Sequence, residues 1–379
     1  MRIFSNLNIN WLGMRKKFYF LSIALFSLGI LSMIFRGLIF GIDFKGGSEI
    51  VLQFEKPINI AEIRDYLAKV KLGSVEVRTF GGETGILIRT ELQELPKDVF
   101  PKVVERIKEN IHNIIPDLEF QIVDSTSNSI TFNFPSHDTT NILINELFAR
   151  GFQTGRVSAE LDNTQMLVRV GIADWIKEVL REKILNNKFQ VLKEDRVGPK
   201  IGDELKRDAI VAVFLALIVI LIYLGFRFKF IFATGAVVAL FHDVLITLGL
   251  YSILYGVIPG LNLEIDLPVV AAFLTLVGYS INDTVIVFDR IRENMKIHKT
   301  LDLEILINKS INQTMSRTVI TGITTLLAVV VLLFLGGDVL RAFSFTLFFG
   351  IIVGTYSSIF VASALVLDYS QKYNKKIQF

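Results

Sequence analysis

The chain of 379 residues is 51% hydrophobic and 20% charged, lacks cysteine and has a mean hydropathy of +0.51. That hydropathy is too high for a soluble enzyme and the charge too high for a bare membrane bundle, so two kinds of segment are averaged together. A net charge of +3 from 40 basic and 37 acidic residues leaves no nucleic-acid footprint. The missing cysteines exclude disulfide scaffolds, thiolate metal sites and Cys nucleophiles, and four scattered histidines are too few for a histidine metal centre.

A bilayer core takes roughly 20 apolar residues to cross, and six stretches qualify: Phe18–Phe35, Ala209–Phe226, Phe230–Val257, Leu267–Phe288, Thr318–Leu335 and Ala342–Leu367. Arg15, Lys16 and Lys17 precede the first, as they would a signal peptide. Its end, Met33-Ile34-Phe35-Arg36, has no small-residue cleavage pattern, so it reads as a retained anchor. The chain thus divides into an N-terminus (1–17), span one (18–39), an α+β domain (40–207), spans two to six (208–367) and a tail (368–379). Lys and Arg fall at both termini, between spans two and three, and between four and five. The loops Ile258–Asp266 and Gly336–Asp338 carry none. This asymmetry predicts a multi-pass membrane protein with both termini cytoplasmic and the 40–207 domain extracytoplasmic.

Within that domain one pattern occurs twice. Ile50, Leu52 and Phe54 alternate as in a strand, and Ile60, Ile63, Leu67 and Val70 recur at helical spacing. Val75–Phe80 and Ile86–Thr90 flank a hairpin turn at Gly81-Gly82. A second helix carries Val103, Val104, Ile107 and Ile111, and Phe120–Val123 closes the copy as a strand. The second copy runs through Ile130, Phe132 and Phe134, a helix from Thr140 to Gly151, strands near Arg156–Leu161 and Met166–Val170, a helix from Ile172 to Leu185, and Phe189–Leu192. The expected fold is a six-span helical bundle with an α+β domain of two tandem ferredoxin-like βαββαβ units, 48–125 and 129–195. The alternative is one larger α+β sheet domain. Neither copy shows paired acids, a phosphate loop or metal-ligand spacing, so a non-catalytic role that binds or moves is expected.

An ionisable side chain inside a span is costly and by default functional. In span four, helical spacing gathers Thr275, Tyr279, Asn282 and Asp283 on one face. In span five it gathers Arg317, Thr318, Thr321, Thr324 and Thr325. Asp283 and Arg317 fall at comparable depth and could pair, with Arg317 as an electrostatic partner. Asp283 then reads as a proton carrier, or as a buried acceptor that holds helices together. His242 and Asp243 of span three divide evenly between the same two readings. Gly350, Gly354, Ser358 and Ala362 of span six form a small-residue packing stripe.

Several of these runs resemble the SecF family. Gly41-Ile42-Asp43-Phe44-Lys45-Gly46-Gly47 follows span one, and Val197-Gly198-Pro199-Lys200-Ile201-Gly202-Asp203-Glu204-Leu205 precedes span two. Phe241-His242-Asp243-Val244, the run Gly278–Asn294 (GYSINDTVIVFDRIREN) and Asn312–Thr318 (NQTMSRT) complete the likeness. The resemblance implies an RND-related membrane subunit that works with SecD. With it, the chain would use the proton-motive force to promote preprotein translocation through SecYEG after SecA. Partners would be SecD, the translocon, the translocating preprotein and the bilayer, with protons as coupling ion and no other cofactor. The family's membrane Asp and Arg map onto Asp283 and Arg317, and Asn282, Tyr279, Asp243 and His242 join them as candidate proton-coupling residues. Gly41, Asp43, Gly46, Gly47, Gly198, Pro199 and Gly202 are candidate structural-motif residues. Lys45 stands where the family often has Thr, and the extracytoplasmic domain is about twice the usual size. The alternative function is an RND-type proton-driven exporter of small molecules or lipids acting as a homo-oligomer.

Overall fold

The computed structural model describes residues 7–373 except 71, 93, 159, 161, 259 and 260. Parts of the expected N-terminus, tail and Arg156–Leu161 strand therefore lie outside the described residues. The chain forms two compact units, one of residues 1–43 and 204–379 and the other of 44–203.

In chain order, α1 (Arg15–Arg36) and the one-turn α2 (Ile42–Lys45) precede β1 (Gly47–Phe54), α3 (Ile60–Ala68), β2 (Val75–Thr79) and β3 (Gly85–Thr90). Then come α4 (Phe100–Ile114), β4 (Gln121–Ser125), β5 (Ser129–Asn133), α5 (His137–Ala149), β6 (Gln153–Arg156), β7 (Gln165–Arg169), α6 (Ile172–Lys183) and β8 (Phe189–Val197). The remaining helices are α7 (Pro199–Arg227), α8 (Phe230–Leu254), α9 (Leu267–Ile297), α10 (Leu303–Leu335), α11 (Gly337–Ser357) and α12 (Ser363–Lys372), the last two joined by a π-helical turn, Ser358–Ala362.

Short polar side chains start several of these helices. Asn59 accepts a hydrogen bond from the Ala61 amide, Ser136 from Thr139, Asp266 from Val269 and Asp302 from Glu304. In α4, Val103, Ile107 and Ile111 are buried at a four-residue step, the spacing that keeps one stripe on the core.

The second unit holds two antiparallel four-stranded sheets of order β2-β3-β1-β8 and β4-β5-β7-β6. Both have the split-βαβ order that the repeated pattern predicts. The boundaries 48–125 and 129–195 delimit the repeats along the chain but not the sheets in space. The last strand of each repeat completes the other repeat's sheet: β8 pairs with β1 and β4 with β5. The preceding helices move with them, α6 packing on β1 and α3, and α4 on α5. One sheet is thus built from 47–90 and 172–197, the other from 100–169, the second inserted in the first. A single hydrophobic core runs from Ile50 to Leu180 through both. Periodicity identifies an edge strand but not which of two equivalent sheet edges it fills, and the nine residues between β3 and α4 leave room to cross.

Cleavage in the polar turn around Thr126 is therefore expected to leave the fragments associated. Size-exclusion after limited proteolysis checks this, and fragments that separate without denaturant would contradict it.

Among the described residues, six helices are long and apolar enough to span a membrane, as expected. α1 and α8 run parallel in one register: Ser22 meets His242, Gly29 meets Gly249 and Ser32 meets Ser252, each pair 220 residues apart. α9 and α11 pack on α8, and α10 on α9 and α11. α1 and α7 keep most of their apolar surface outward, including Phe20, Phe35, Phe214 and Phe226.

Candidate functional site

The buried stripe of α9 (Val269, Ala272, Phe273, Leu276, Val277, Ser280, Asp283, Thr284 and Val287) faces the other helices and carries its polar groups inward. Asp283 is buried, and its Oδ2 accepts a hydrogen bond from Thr355 Oγ1 at 3.3 Å. Its Oδ1 finds no hydrogen-bond partner among the described residues, and neither do the buried Tyr279 hydroxyl, one turn earlier, and Thr318 Oγ1 of α10. Gly322, one turn after Thr318, leaves room at this junction. A Cβ there would lie 3.9 Å from the Tyr279 hydroxyl and 4.0 Å from Thr355 Oγ1. Three helices, α9, α10 and α11, thus converge on a carboxyl whose free oxygen can take a proton. Native proteins rarely leave buried polar atoms unpaired, and such atoms concentrate at working sites.

Asn282 and Arg317 lie apart from it. Consecutive residues on a helix point about 100° apart, and Asn282 turns outward while Asp283 turns in. With Arg317, Asn282 lines an open cleft of about 1220 Å³ whose walls also carry Asp289, Glu293 and Gln313. Among the described residues no ion pair joins Arg317 to Asp283; in this conformation the expected partners are separated. The threonine stripe that follows Arg317 turns back on its own helix, since Thr321, Thr324 and Thr325 donate to the carbonyls of Arg317, Ile320 and Thr321.

Asp243 is the second buried carboxyl. Its Oδ2 accepts from Ser280 Oγ at 2.6 Å and from Ser357 Oγ at 2.8 Å. Its Oδ1 lies 3.0 Å from His242 Nδ1. His242 Nε2 is 3.0 Å from Ser22 Oγ, which is 2.7 Å from the Tyr356 hydroxyl, and that hydroxyl donates to the Phe18 carbonyl at 2.6 Å. The chain ties α8 to α1, α9 and α11.

Sequence reasoning missed Ser22, Ser280, Thr355, Tyr356 and Ser357, and read Ser358 only as part of the packing stripe. The four consecutive hydroxyls from Thr355 to Ser358 reach Asp283, Ser22, Asp243 and Thr284 respectively. Four hydroxyl residues in a row inside an apolar span were the available signal. They run into a π-helical turn that begins at Ser358, a distortion frequent at functional sites. The glycine stripe of span six packs closely as expected. A Cβ at Gly354 would lie 2.9 Å from Ser280 Cβ, and one at Gly350 2.5 Å from Leu276 Cδ1.

The motif residues hold junctions. The Gly41 amide donates to the Ile265 carbonyl, and Asp43 Oδ2 accepts from the Leu267 amide at the start of α9. Gly47 has φ +118°, and a Cβ there would lie 2.4 Å from the Thr90 carbonyl, a place only glycine fits. Gly46 has φ +73°. A Cβ at Gly202 would meet its amide at 3.1 Å, and the Gly202 amide bonds the Gly198 carbonyl where Pro199 opens α7. Asn312 of the NQTMSRT run clamps the N-terminal segment: its Oδ1 accepts from Trp11 Nε1 at 2.9 Å and its Nδ2 donates to the Ile9 carbonyl at 2.9 Å.

Comparison with known proteins accounts for these runs. A model of the C-terminal region of the protein export membrane proteins SecD/SecF matches residues 176–372, and one of the SecD/SecF GG motif matches residues 31–58. The protein translocase subunit SecF of Rhodothermus marinus is 41% identical over 368 residues, 97% of this chain and 95% of that protein. The chain belongs to the SecF family. The SecF of Koribacter versatilis is 36% identical over 98% of this chain and 94% of its own length. The crystal structure of SecDF from Thermus thermophilus, described as a translocon-associated membrane protein, aligns with a TM-score of 0.64 at 31% identity. It covers 97% of this chain, which spans 39% of that one. The chain is a multi-pass membrane protein with an accessory role in Sec-pathway protein export, and the exporter alternative is not favoured.

Proposed function

We propose that this chain, in complex with a SecD-like subunit, uses the proton-motive force to promote movement of preproteins through the SecYEG channel after SecA has inserted them. The observation that carries this reading is Asp283: a buried carboxyl with one oxygen unpartnered among the described residues where three helices meet, beside a cleft lined by an exposed cation, Arg317. A charged carboxyl without a partner is costly in such a place, and a nearby guanidinium lowers that cost. Protonation of Asp283 is thereby coupled to the position of Arg317 and of the helix that carries it. One charge crossing 100 mV supplies about 2.3 kcal/mol, enough for one or two protons to bias a two-state motion of a few kcal/mol. Asn282 and Tyr279 flank the carrier on α9, toward the cleft and toward Gly322. Protons are the coupling ion and no other cofactor enters.

Affinity purification from membranes followed by mass spectrometry tests the assignment. A SecD-like polypeptide in stoichiometric yield, with SecYEG components, is expected; a homodimer free of both would contradict it.

We further propose that both termini face the cytoplasm and that residues 44–203 lie outside. A cysteine at Ser136 is then labelled by an impermeant maleimide in intact cells stripped of their outer barrier, and one at Lys299 only after lysis. The opposite pattern would overturn the orientation.

A further inference from the structure

Counting hydrogens along the chain from Phe18 to Asp243 locates a proton. The Tyr356 hydroxyl has one hydrogen, and the 2.6 Å contact with the Phe18 carbonyl, an acceptor only, consumes it. The 2.7 Å contact between Tyr356 and Ser22 must then carry the single hydrogen of Ser22. Ser22 has none left for His242, so the 3.0 Å contact between them requires a hydrogen on Nε2. At the other side of the ring, Asp243 Oδ2 accepts from Ser280 at 2.6 Å and faces Ser357 at 2.8 Å, whose one hydrogen is shared with the Gly354 carbonyl at 3.0 Å. The 3.0 Å contact between Nδ1 and Oδ1 needs one more hydrogen, on the nitrogen or on the oxygen. A neutral ring beside an ionised carboxylate has only one hydrogen for these two positions. The observed geometry holds two.

We infer that His242 and Asp243 form a second proton-binding site, seen here in its loaded state, with Ser22 and Tyr356 as its wire. Release can run along that wire with every atom accounted for. Nε2 passes its proton to Ser22, Ser22 passes its own to Tyr356, and the Tyr356 hydrogen passes to a water molecule at the part-exposed Phe18 end, which carries it away as hydronium. The shared hydrogen settles on Nδ1 against the ionised Asp243. Each hydroxyl hydrogen then points back toward the ring, and Tyr356 no longer bonds the Phe18 carbonyl. Loading of the site therefore decides whether α11 is tied to α1 by this bond, and the proton belongs to the pair rather than to either residue.

The surroundings leave the pair to itself. α1 offers Ser22 and the Phe18 carbonyl, α9 offers Ser280, and α11 offers Tyr356 and Ser357, while α7 meets this part of α8 through Leu217 and Leu240. Asp283 is engaged with Thr355. Arg15 and Tyr19 both donate to Asp368 at the end of the bundle. Among the described residues no ion pair from another helix reaches His242 or Asp243.

This inference rests on the proton-coupled reading above, but its test does not use export. The full-length chain carrying ¹⁵N-labelled histidine is placed in lipid nanodiscs and titrated by solid-state NMR, with the His242 signals assigned by their loss in His242→Gln. Nε2 is expected to carry hydrogen in the acid part of the titration and to lose it as pH rises, while Nδ1 carries it at the end. Nε2 with hydrogen at every accessible pH, or at none, would overturn the site, as would loss from Nδ1 instead. Tyr356→Phe frees the Ser22 hydrogen for the ring, so Nε2 should be bare at pH values where the parent chain carries a hydrogen there. An unchanged pattern in that variant would overturn the wire.

Discussion

Arg317→Met is expected to insert and assemble like the parent chain and to lose the part of preprotein export that depends on the proton gradient. Packing changes little, because Arg317 lines an open cleft and, among the described residues, makes no ion pair. Methionine keeps a long unbranched chain in a helix where both residues are good formers. What disappears is the positive charge that α10 carries beside the cleft, and with it the coupling between the Asp283 carboxyl's protonation and helix position. ATP-driven translocation should stay at its basal level, whereas stimulation by an imposed gradient should vanish. Retained stimulation would remove Arg317 from the mechanism.

Gly249→Leu is expected to part α1 from α8 and to prevent the bundle from reaching its native packing. A Cβ at Gly249 would lie 2.7 Å from Gly29 Cα, and one at Gly29 3.0 Å from Gly249 Cα. The neighbour is backbone and has no rotamer to give, so close approach needs small residues on both helices. Overpacking costs about 1–3 kcal/mol where side chains can shift, and the upper end applies here. The hydrogen bonds of Ser22 with His242 and of Ser32 with Ser252 lie on either side of this point and would open with it. The chain has no cysteine, so a Ser32→Cys, Ser252→Cys pair reports the distance cleanly. The parent background should cross-link, since the two hydroxyls are 2.8 Å apart, and the Gly249→Leu background should not. Efficient cross-linking in both would contradict the packing.

Much of this architecture could be read from residue pattern, because the signals were physically strong. Uncharged runs such as Phe18–Phe35 have few alternatives to a membrane span, and alternation at Ile50, Leu52 and Phe54 has few alternatives to a strand, although β1 is buried on both faces. Helix ends were less legible. Span two was read from Ala209, but α7 begins at Pro199, since hydropathy registers the apolar part of a helix and not its polar first turns. Strand exchange was invisible for another reason: β4 and β8 are each compatible with either sheet, and the choice depends on contacts distant in the chain. At the site, Asp283 announced itself as a charge in an apolar run. Its hydroxyl partners did not, because threonine and serine in spans commonly bond their own helix, as Thr321 and Thr324 do. The split between Asn282 and Asp283 followed from the rotation between adjacent residues, which a four-residue face had merged.

The central claim is that Asp283 carries the proton that drives export. Asp283→Asn keeps the size of the side chain and its hydrogen bond with Thr355 while removing the titratable group. Preprotein translocation into inverted membrane vesicles, with and without an imposed proton gradient, tests it directly. The variant should assemble with its partner, retain SecA- and ATP-dependent translocation at the basal level and show no stimulation by the gradient. Full gradient-dependent stimulation in assembled Asp283→Asn would reject the carrier role and leave Asp283 as a buried acceptor holding α9 to α11.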